Sequence, residues 1–489
     1  MNWVSSAGVS LRDLVPAALR RDWVRRGHCP DRDLYSLFRD HVREHPRRTA
    51  VIDDEGSLRY AELDTAVREL AARLETAGCG SSDIVGVREH NGRDAVIAEL
   101  AVYAIGAVAL PVPPGADNLL ERAGVWFSVG DGRIAGASRR RRAGHATRPH
   151  PDAPARILVS SGSESEPKMV AYSHNAFAGG RANYLRAVHG GTEVPRDLVL
   201  VSLTSGFGSF GVPVTLCRAG GTLILTRRFE ASTALRLIAG HRPTHVFAVP
   251  TMWRRVVERP GQVDTAGLSA IVSSGDTLPP STRAACRERF GVEMIDVYGS
   301  SDGVNCHTTT PEHGAGVPDP AVCEIRLVDD EICARGPMTP LCYVGAPELD
   351  AAYRFDGGWV RTGDNGRFGD GGRLHVTGRR KRVVIRGGYT ISPAEVELAI
   401  GDHPAVREVV CVPVPDAELG ERLCACLTVR NGHSLTLPGL VAFLREKGLA
   451  VAKLPESLML LSELPVSRSG KVCHRTLAGL AAGRSEVKS

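Results

Sequence analysis

The sequence predicts an α/β protein in two parts: a large N-terminal domain of stacked α/β subdomains over 1–378 and a small α+β domain over 379–489. Three observations predict it. A chain of 489 residues is too long for one simple core. Over 84–111, and again over 156–376, short apolar runs alternate with helical stretches, the pattern of an α/β sheet. The segment 379–392 is then rich in Arg and Gly and reads as a hinge, and 393–480 gives a helix, two strands, a helix and a tail.

Each element follows from its local pattern. Asp33 to Glu44 has amphipathic helical spacing, with Leu34, Leu37, Phe38 and Val42 on one face. A second helix starts at Tyr60, continues through Leu70 and Leu74, and stops at Gly78. Ile84 to Val87 reads as a strand. The apolar run from Ala95 to Leu110 is broken by Glu99 and ends at Pro111, so it is a buried helix feeding a strand, not a membrane span. Residues 138–151 hold four consecutive arginines, then Gly, His and Pro, without periodicity; they read as a solvated surface loop. Beyond them, runs at Ile157, Leu198, Thr222, His245 and Ala270 look like buried strands.

Composition excludes several classes. The chain is 43% hydrophobic and 24% charged, ordinary for a globular protein, and its formal charge of +5 with no basic stripe argues against nucleic acid. Twelve cysteines are scattered without a CxxC pair, although Cys424 and Cys426 are one residue apart; they read as buried free thiols in a reducing cytosol. The first residues lack the basic-then-apolar pattern of a secretory signal. A cytoplasmic protein is expected.

Five segments carry chemistry. Ile157-Leu-Val-Ser-Ser-Gly-Ser-Glu-Ser-Glu-Pro-Lys168 is a strand entering a small-residue turn that ends in a lysine. Backbone amides of Ser160, Ser161, Gly162 and Ser163 can cradle phosphate there, and Lys168 adds a point charge. In Tyr298-Gly299-Ser300-Ser301-Asp302 an aromatic at a strand end can stack on a purine, while a hydroxyl and a carboxylate can reach a phosphate and its magnesium. Asp364, in Arg-Thr-Gly-Asp, can accept hydrogen bonds from ribose hydroxyls. Arg386-Gly-Gly-Tyr389 forms a second glycine turn. Lys471 closes Leu-Pro-Val-Ser-Arg-Ser-Gly-Lys.

In this order and spacing the motifs resemble the adenylate-forming superfamily: acyl-CoA synthetases, adenylation domains of peptide synthetases, and luciferases. The resemblance covers roughly 31–480. It implies ATP and Mg²⁺, a phosphate loop ending at Lys168, an adenine pocket lined by Gly275, Asp276 and Thr277, magnesium on Asp302, and ribose contacts from Asp364 and Arg379. It also implies a hinge at Lys381 and a Lys471 that swings in to meet the carboxylate and the α-phosphate. The implied reaction joins a small carboxylic acid to AMP, then passes the acyl group to a thiol of CoA or a carrier protein, or to an amine acceptor. Departures occur. Glu164 and Ser165 stand where Thr-Gly is usual, Glu166 is an added acid, and Met169 replaces Gly. Asp302 stands for Glu. The pocket histidine is missing from Leu203-Thr-Ser-Gly-Phe-Gly-Ser-Phe-Gly211, with Ser205 or Gly206 near its place. Phe207 and Phe210, with Ser205 and Gly299, either line an acid pocket or are plain core. His174 matches a position that is more often structural. Two other readings stay open: a specialised member that activates nitrite for diazotisation of an aryl amine, and a non-catalytic nucleotide-binding homologue.

Overall fold

The computed structural model describes residues 2–113, 115–136, 148–160, 167–380, 382–387, 389–466 and 472–485. Two sheets dominate the first part. The larger has eight strands in the order Val304–Thr308, Glu293–Ser300, Ala270–Ser274, His245–Ala248, Arg196–Val199, Thr222–Leu225, Thr49–Asp53, Gly56–Arg59. Its interior pairings are parallel and its two edge pairings antiparallel. The second has seven strands: Cys342–Tyr343, Met169–Ser173, Pro154–Val159, Val108–Pro111, Ile84–Val87, Phe127–Gly130, Arg133–Ala135.

One core joins the two sheets. Val199, Phe247 and Val272 of the larger sheet meet Val85, Ala109 and Leu158 of the smaller, with the helices Tyr60–Thr76 and Arg93–Ala104 packed among them. The next residues along the same strands, Leu198, Val246 and Ile271, point the other way, onto the helices Ala231–His241, Pro250–Val257 and Pro280–Phe290. Side chains alternate faces along a strand. Both faces are therefore covered, which is why these strands read as continuous apolar runs. The helix Leu34–Glu44 begins at Asp33, whose side chain accepts from the Ser36 amide at 2.8 Å. The Leu34 amide is taken by Nδ1 of buried His174 at 3.2 Å. Burial holds that imidazole down at about 4, so it is neutral, and its contacts are structural.

A third sheet holds Glu324–Val328, Glu331–Arg335, Trp359–Phe368 and Arg354–Phe355, with Leu374–Arg379 paired to the long strand. The C-terminal part is a separate sheet: Tyr389–Ile391, Val384–Arg386, Gly420–Val429, Val406–Asp416, and Ser457–Leu460 parallel to Gly420–Val429. The helices Pro393–Gly401 and Leu437–Glu446 cover one face of it, and His474–Ser485 the other. The expected helix, strand, strand, helix is present. The expected tail is not featureless: it contributes a further strand and a terminal helix whose Leu477 and Ala481 are buried. All twelve cysteines are free thiols, eleven of them buried. Among the described residues no helix is long and apolar enough to cross a membrane. Of the arginine-rich stretch, 137–147 lie outside the described residues.

Among the described residues two ion pairs link the C-terminal sheet to the first part. Arg254, on the helix Pro250–Val257, pairs with Glu408, and Glu258 just beyond that helix takes Arg407 at 2.7 and 3.0 Å.

Candidate functional site

The larger sheet brings most predicted residues together at the ends of its strands, where an α/β sheet exposes loops. Tyr298 lies on the strand Glu293–Ser300, next to the strand carrying Ser274. Its hydroxyl donates to Oδ2 of Asp364 at 2.8 Å. The other oxygen, Oδ1, accepts from Nε of Arg379 at 3.0 Å. The third sheet makes this possible, because Asp364 and Arg379 are direct antiparallel partners across adjacent strands. One carboxylate thus ties three motifs that are 66 and 15 residues away in sequence. Asp364 is only 4% exposed, and burial raises its carboxyl above the usual carboxylate range while Arg379 pulls it back. Burial and the Asp364 charge push the Tyr298 phenol well above its ordinary value, so it stays a donor.

The turn after Tyr298 is built around Asp302. Its amide donates to Oγ of Ser300 at 3.0 Å, and Ser300 returns its hydroxyl to Oδ2 at 3.3 Å. Tyr343 donates its hydroxyl to Oδ1, and Tyr172 donates to the carbonyl of Ser301 at 2.8 Å. The backbone fits closely here. A Cβ on Gly299 would lie 2.2 Å from Nδ2 of Asn305, so a side chain here would have to push the Asn305 amide aside. Asp302 fits a cation role: it is a nearly buried carboxylate whose partners among the described residues, the hydroxyls of Ser300 and Tyr343, are neutral.

Lys168 stands at the exit of the small-residue turn. Its amide donates to Oγ of Ser160 at 3.2 Å, its carbonyl accepts from the Ser160 amide at 2.9 Å, and its ammonium lies 3.9 Å from the Tyr353 ring centroid and 5.5 Å from that of Tyr343. Ser161, Gly162 and Ser163, and the departures Glu164, Ser165 and Glu166, lie outside the described residues, as do Lys381 and Lys471. Gly275 has a φ of 95°, and the exposed Asp276 accepts from the Thr277 amide at 2.8 Å. His474, in the terminal helix, sits where the charges of Asp276 and Arg379 act on its ring; burial first, then Arg382, hold it down at about 4.

The candidate acid pocket divides. Phe210 is 1% exposed with its ring 4.5 Å from that of Phe247, whereas Phe207 is half-buried at 6.1 Å from the same ring. Ser205 is spent on its own turn, donating to the Ser202 carbonyl at 2.7 Å and accepting from the Gly208 amide at 3.0 Å. Sequence reasoning missed Tyr172, Tyr343, Tyr353 and His474. The tyrosines belong to no motif; only the antiparallel pairing of Cys342–Tyr343 with Met169–Ser173 carries Tyr343 to Asp302.

The chain also matches known proteins in sequence and in fold. Models of the AMP-binding enzyme family match 38–123 and 119–344, and that of the AMP-binding enzyme C-terminal domain matches 395–471. Triostin synthetase I of Streptomyces triostinicus is 30% identical, over 95% of this chain and 98% of that protein. A medium-chain fatty-acid–CoA ligase of Escherichia coli is 26% identical, over 93% and 91%. Among solved structures, an amide bond synthetase from Marinactinospora thermotolerans superposes with a TM-score of 0.78 at 28% identity, over 91% of this chain and 99% of that one. The Bacillus subtilis o-succinylbenzoate CoA synthetase bound to its acyl-adenylate gives 0.78 at 25%, over 90% and 97%. With both family models matched and the three separated motifs meeting at one buried carboxylate, the chain belongs to the AMP-binding enzymes of the adenylate-forming superfamily and is an AMP-forming ligase.

Proposed function

We propose that this ligase adenylates a small carboxylic acid with Mg-ATP and passes the acyl group to a thiol, of CoA or of a carrier protein. The observation that carries the reading is the Asp364 carboxylate, held from one side by Tyr298 and from the other by Arg379. A buried, doubly oriented carboxylate beside an aromatic suits a nucleoside: ribose hydroxyls donate to it, and the purine lies against Tyr298 and the backbone of Gly275, Asp276 and Thr277. Arg379 then faces the phosphates, and Gly299, Ser300 and Ser301 line the turn nearest the α-phosphate. Asp302 would hold Mg²⁺, which neutralises phosphate charge. Lys168 leaves its aromatic seat for the β- and γ-phosphates, with Ser160, Ser161, Gly162 and Ser163 donating amides.

In the first half-reaction an acid oxygen attacks the α-phosphorus and pyrophosphate departs; Lys471 offsets the charge that builds up between them. His474, three residues on in sequence, already lies within the charge reach of Asp276 and Arg379, which supports a tail working at this cleft. In the second half-reaction the 379–489 domain turns about Lys381, the Arg386–Tyr389 turn approaches the thiol, and AMP leaves. The chain is similar to the amide bond synthetase noted above, so an amine is the alternative acceptor.

Pyrophosphate release across aliphatic acids, aryl acids and nitrite, each with and without thiol or amine, tests the proposal. Release with a carboxylic acid and consumption of a thiol is expected, and Lys471→Ala abolishes release while nucleotide binding persists. Unchanged release in that variant refutes the role of Lys471. A response to nitrite plus aryl amine alone replaces the acid, and ATP binding with no release anywhere removes the enzyme reading.

A further inference from the structure

Two buried guanidinium groups lie beneath the loop 202–211. Arg156, fully buried, is neutralised by Glu99. Arg181 is not. It is 5% exposed, and among the described residues no carboxylate pairs with it. Its Nη1 donates to the Gly206 carbonyl at 2.8 Å and to Oγ of Ser209 at 2.5 Å, and its buried Nε has no partner among the described residues. Its guanidinium carbon lies 5.9 and 5.4 Å from the ring centroids of Tyr172 and Phe177. On the same helical face, three residues on, the hydroxyl of Tyr184 is also buried without a partner among the described residues. Arg181 ends a π-helical turn, Phe177–Arg181, a local widening that is common at functional sites.

A protein interior does not hold an unpaired cation without a counter-charge, and carbonyl dipoles and ring faces offset only part of the cost. The position says where the counter-charge comes from. Gly206 and Ser209 belong to the loop assigned above to the acid pocket. Tyr172, under the guanidinium, donates to Ser301 in the turn that carries Asp302. Arg181 therefore stands between the pocket loop and the nucleotide turn. The loop itself is open on one side, since a Cβ built on Gly206, whose carbonyl Arg181 holds, would meet nothing within 4 Å.

We infer that Arg181 recognises a second anionic group on the acid, and that the substrates are dicarboxylic acids. The inference rests on the adenylation reading above. One carboxylate forms the new P–O bond to the α-phosphorus as the α–β anhydride bond breaks and pyrophosphate leaves. The other stays ionised against Arg181, with Tyr184 as a further donor. A planar guanidinium suits a carboxylate, because two parallel N–H donors meet its two oxygens. A monocarboxylic acid of the same length leaves Arg181 buried and unpaired, and a site built for a polar group rejects the analogue that lacks it far more strongly than it rejects a changed methylene.

The test is pyrophosphate release by the full chain with matched pairs: succinate against butanoate, glutarate against pentanoate, phthalate against benzoate. At least one diacid is expected to exceed its partner in kcat/KM by about 100-fold or more, following the discrimination such sites achieve. Arg181→Met is expected to collapse that ratio, and Arg181→Lys to fall between. Monoacids turned over as well as diacids by the unaltered chain overturn the inference while leaving adenylation intact. An Arg181→Met variant that slows both classes equally makes Arg181 a brace for the loop and overturns it too. If that variant does not fold, the unaltered chain's pairs decide alone. No release with any acid refutes the adenylation reading itself.

Discussion

Arg156→Met probes how the pocket loop is held. Arg156 donates to Glu99, to the Leu203 carbonyl at 2.5 Å and to the Ser209 carbonyl at 3.2 Å. Glu99 also accepts from the hydroxyl of Tyr103 at 2.5 Å. Methionine fills much of the volume but removes every donor. Two carbonyls lose a buried partner, and removing one member of a buried pair costs about 3–5 kcal/mol in other proteins. A loss of roughly that size is expected near pH 8. The sign of its pH dependence follows from Glu99. Burial raises its carboxyl above the ordinary 4.5, and Arg156 opposes the rise. Without Arg156 the folded carboxyl rises further and keeps its proton. A raised acid penalises folding only above its unfolded value, by about 1.4 kcal/mol per pH unit up to the folded value. The variant's deficit should therefore shrink as pH falls from 8 toward 5. The double variant Glu99→Leu/Arg156→Met should lose less than Arg156→Met alone and show no such slope. Urea denaturation followed by tryptophan fluorescence, at several pH values, measures all three chains. A deficit for Arg156→Met that stays constant between pH 5 and 8 refutes the reasoning.

Two further perturbations separate binding from motion. Asp364→Asn removes the charge that receives Tyr298 and Arg379; a charge-assisted hydrogen bond contributes about 1.5–3 kcal/mol, so KM for ATP should rise about 10- to 100-fold with a smaller change in kcat. An unaltered KM would remove Asp364 from the nucleotide site. Between the two parts of the chain, Arg254 and Glu408 have side chains 13% and 12% exposed, whereas Arg407 and Glu258 are at 38% and 41%. The exposed pair should contribute under about 1 kcal/mol and the buried one more. Arg254→Ala should therefore speed tryptic cutting within 379–392 by about fivefold or more, and Arg407→Ala by less. Equal cutting rates would show that the pairs do not hold the C-terminal domain.

Much of the fold is legible because burial on both faces writes itself into composition. Ile271 and Val272 face opposite cores, as do Leu198 and Val199, so each strand is an unbroken apolar run. The helix that carries Glu99 is legible despite that charge, although nothing near it marks the arginine, 57 residues on, that neutralises it. The terminal strand Ser457–Leu460 was illegible for a related reason. It is four residues long, and its parallel pairing with Gly420–Val429 depends on a partner more than thirty positions earlier.

The candidate site divides along the same line. Tyr298, Asp302, Asp364 and Arg379 stand out as candidates because each sits in a short motif whose residue types already state a chemistry. Tyr343, Tyr172 and Arg181 do not, because nothing local distinguishes them from core: a tyrosine in Cys-Tyr-Val or an arginine at the end of Phe-Ala-Gly-Gly-Arg is unremarkable until the sheets assemble. What makes them informative is an imbalance that only three dimensions expose. Tyr343 finds a carboxylate, Tyr172 a carbonyl, and Arg181, among the described residues, no anion. A motif records what relatives share, here the nucleotide. Residues that tell one acid from another need no such motif, so the signature to look for is physical: a buried charge or hydroxyl left unsatisfied until a ligand completes it.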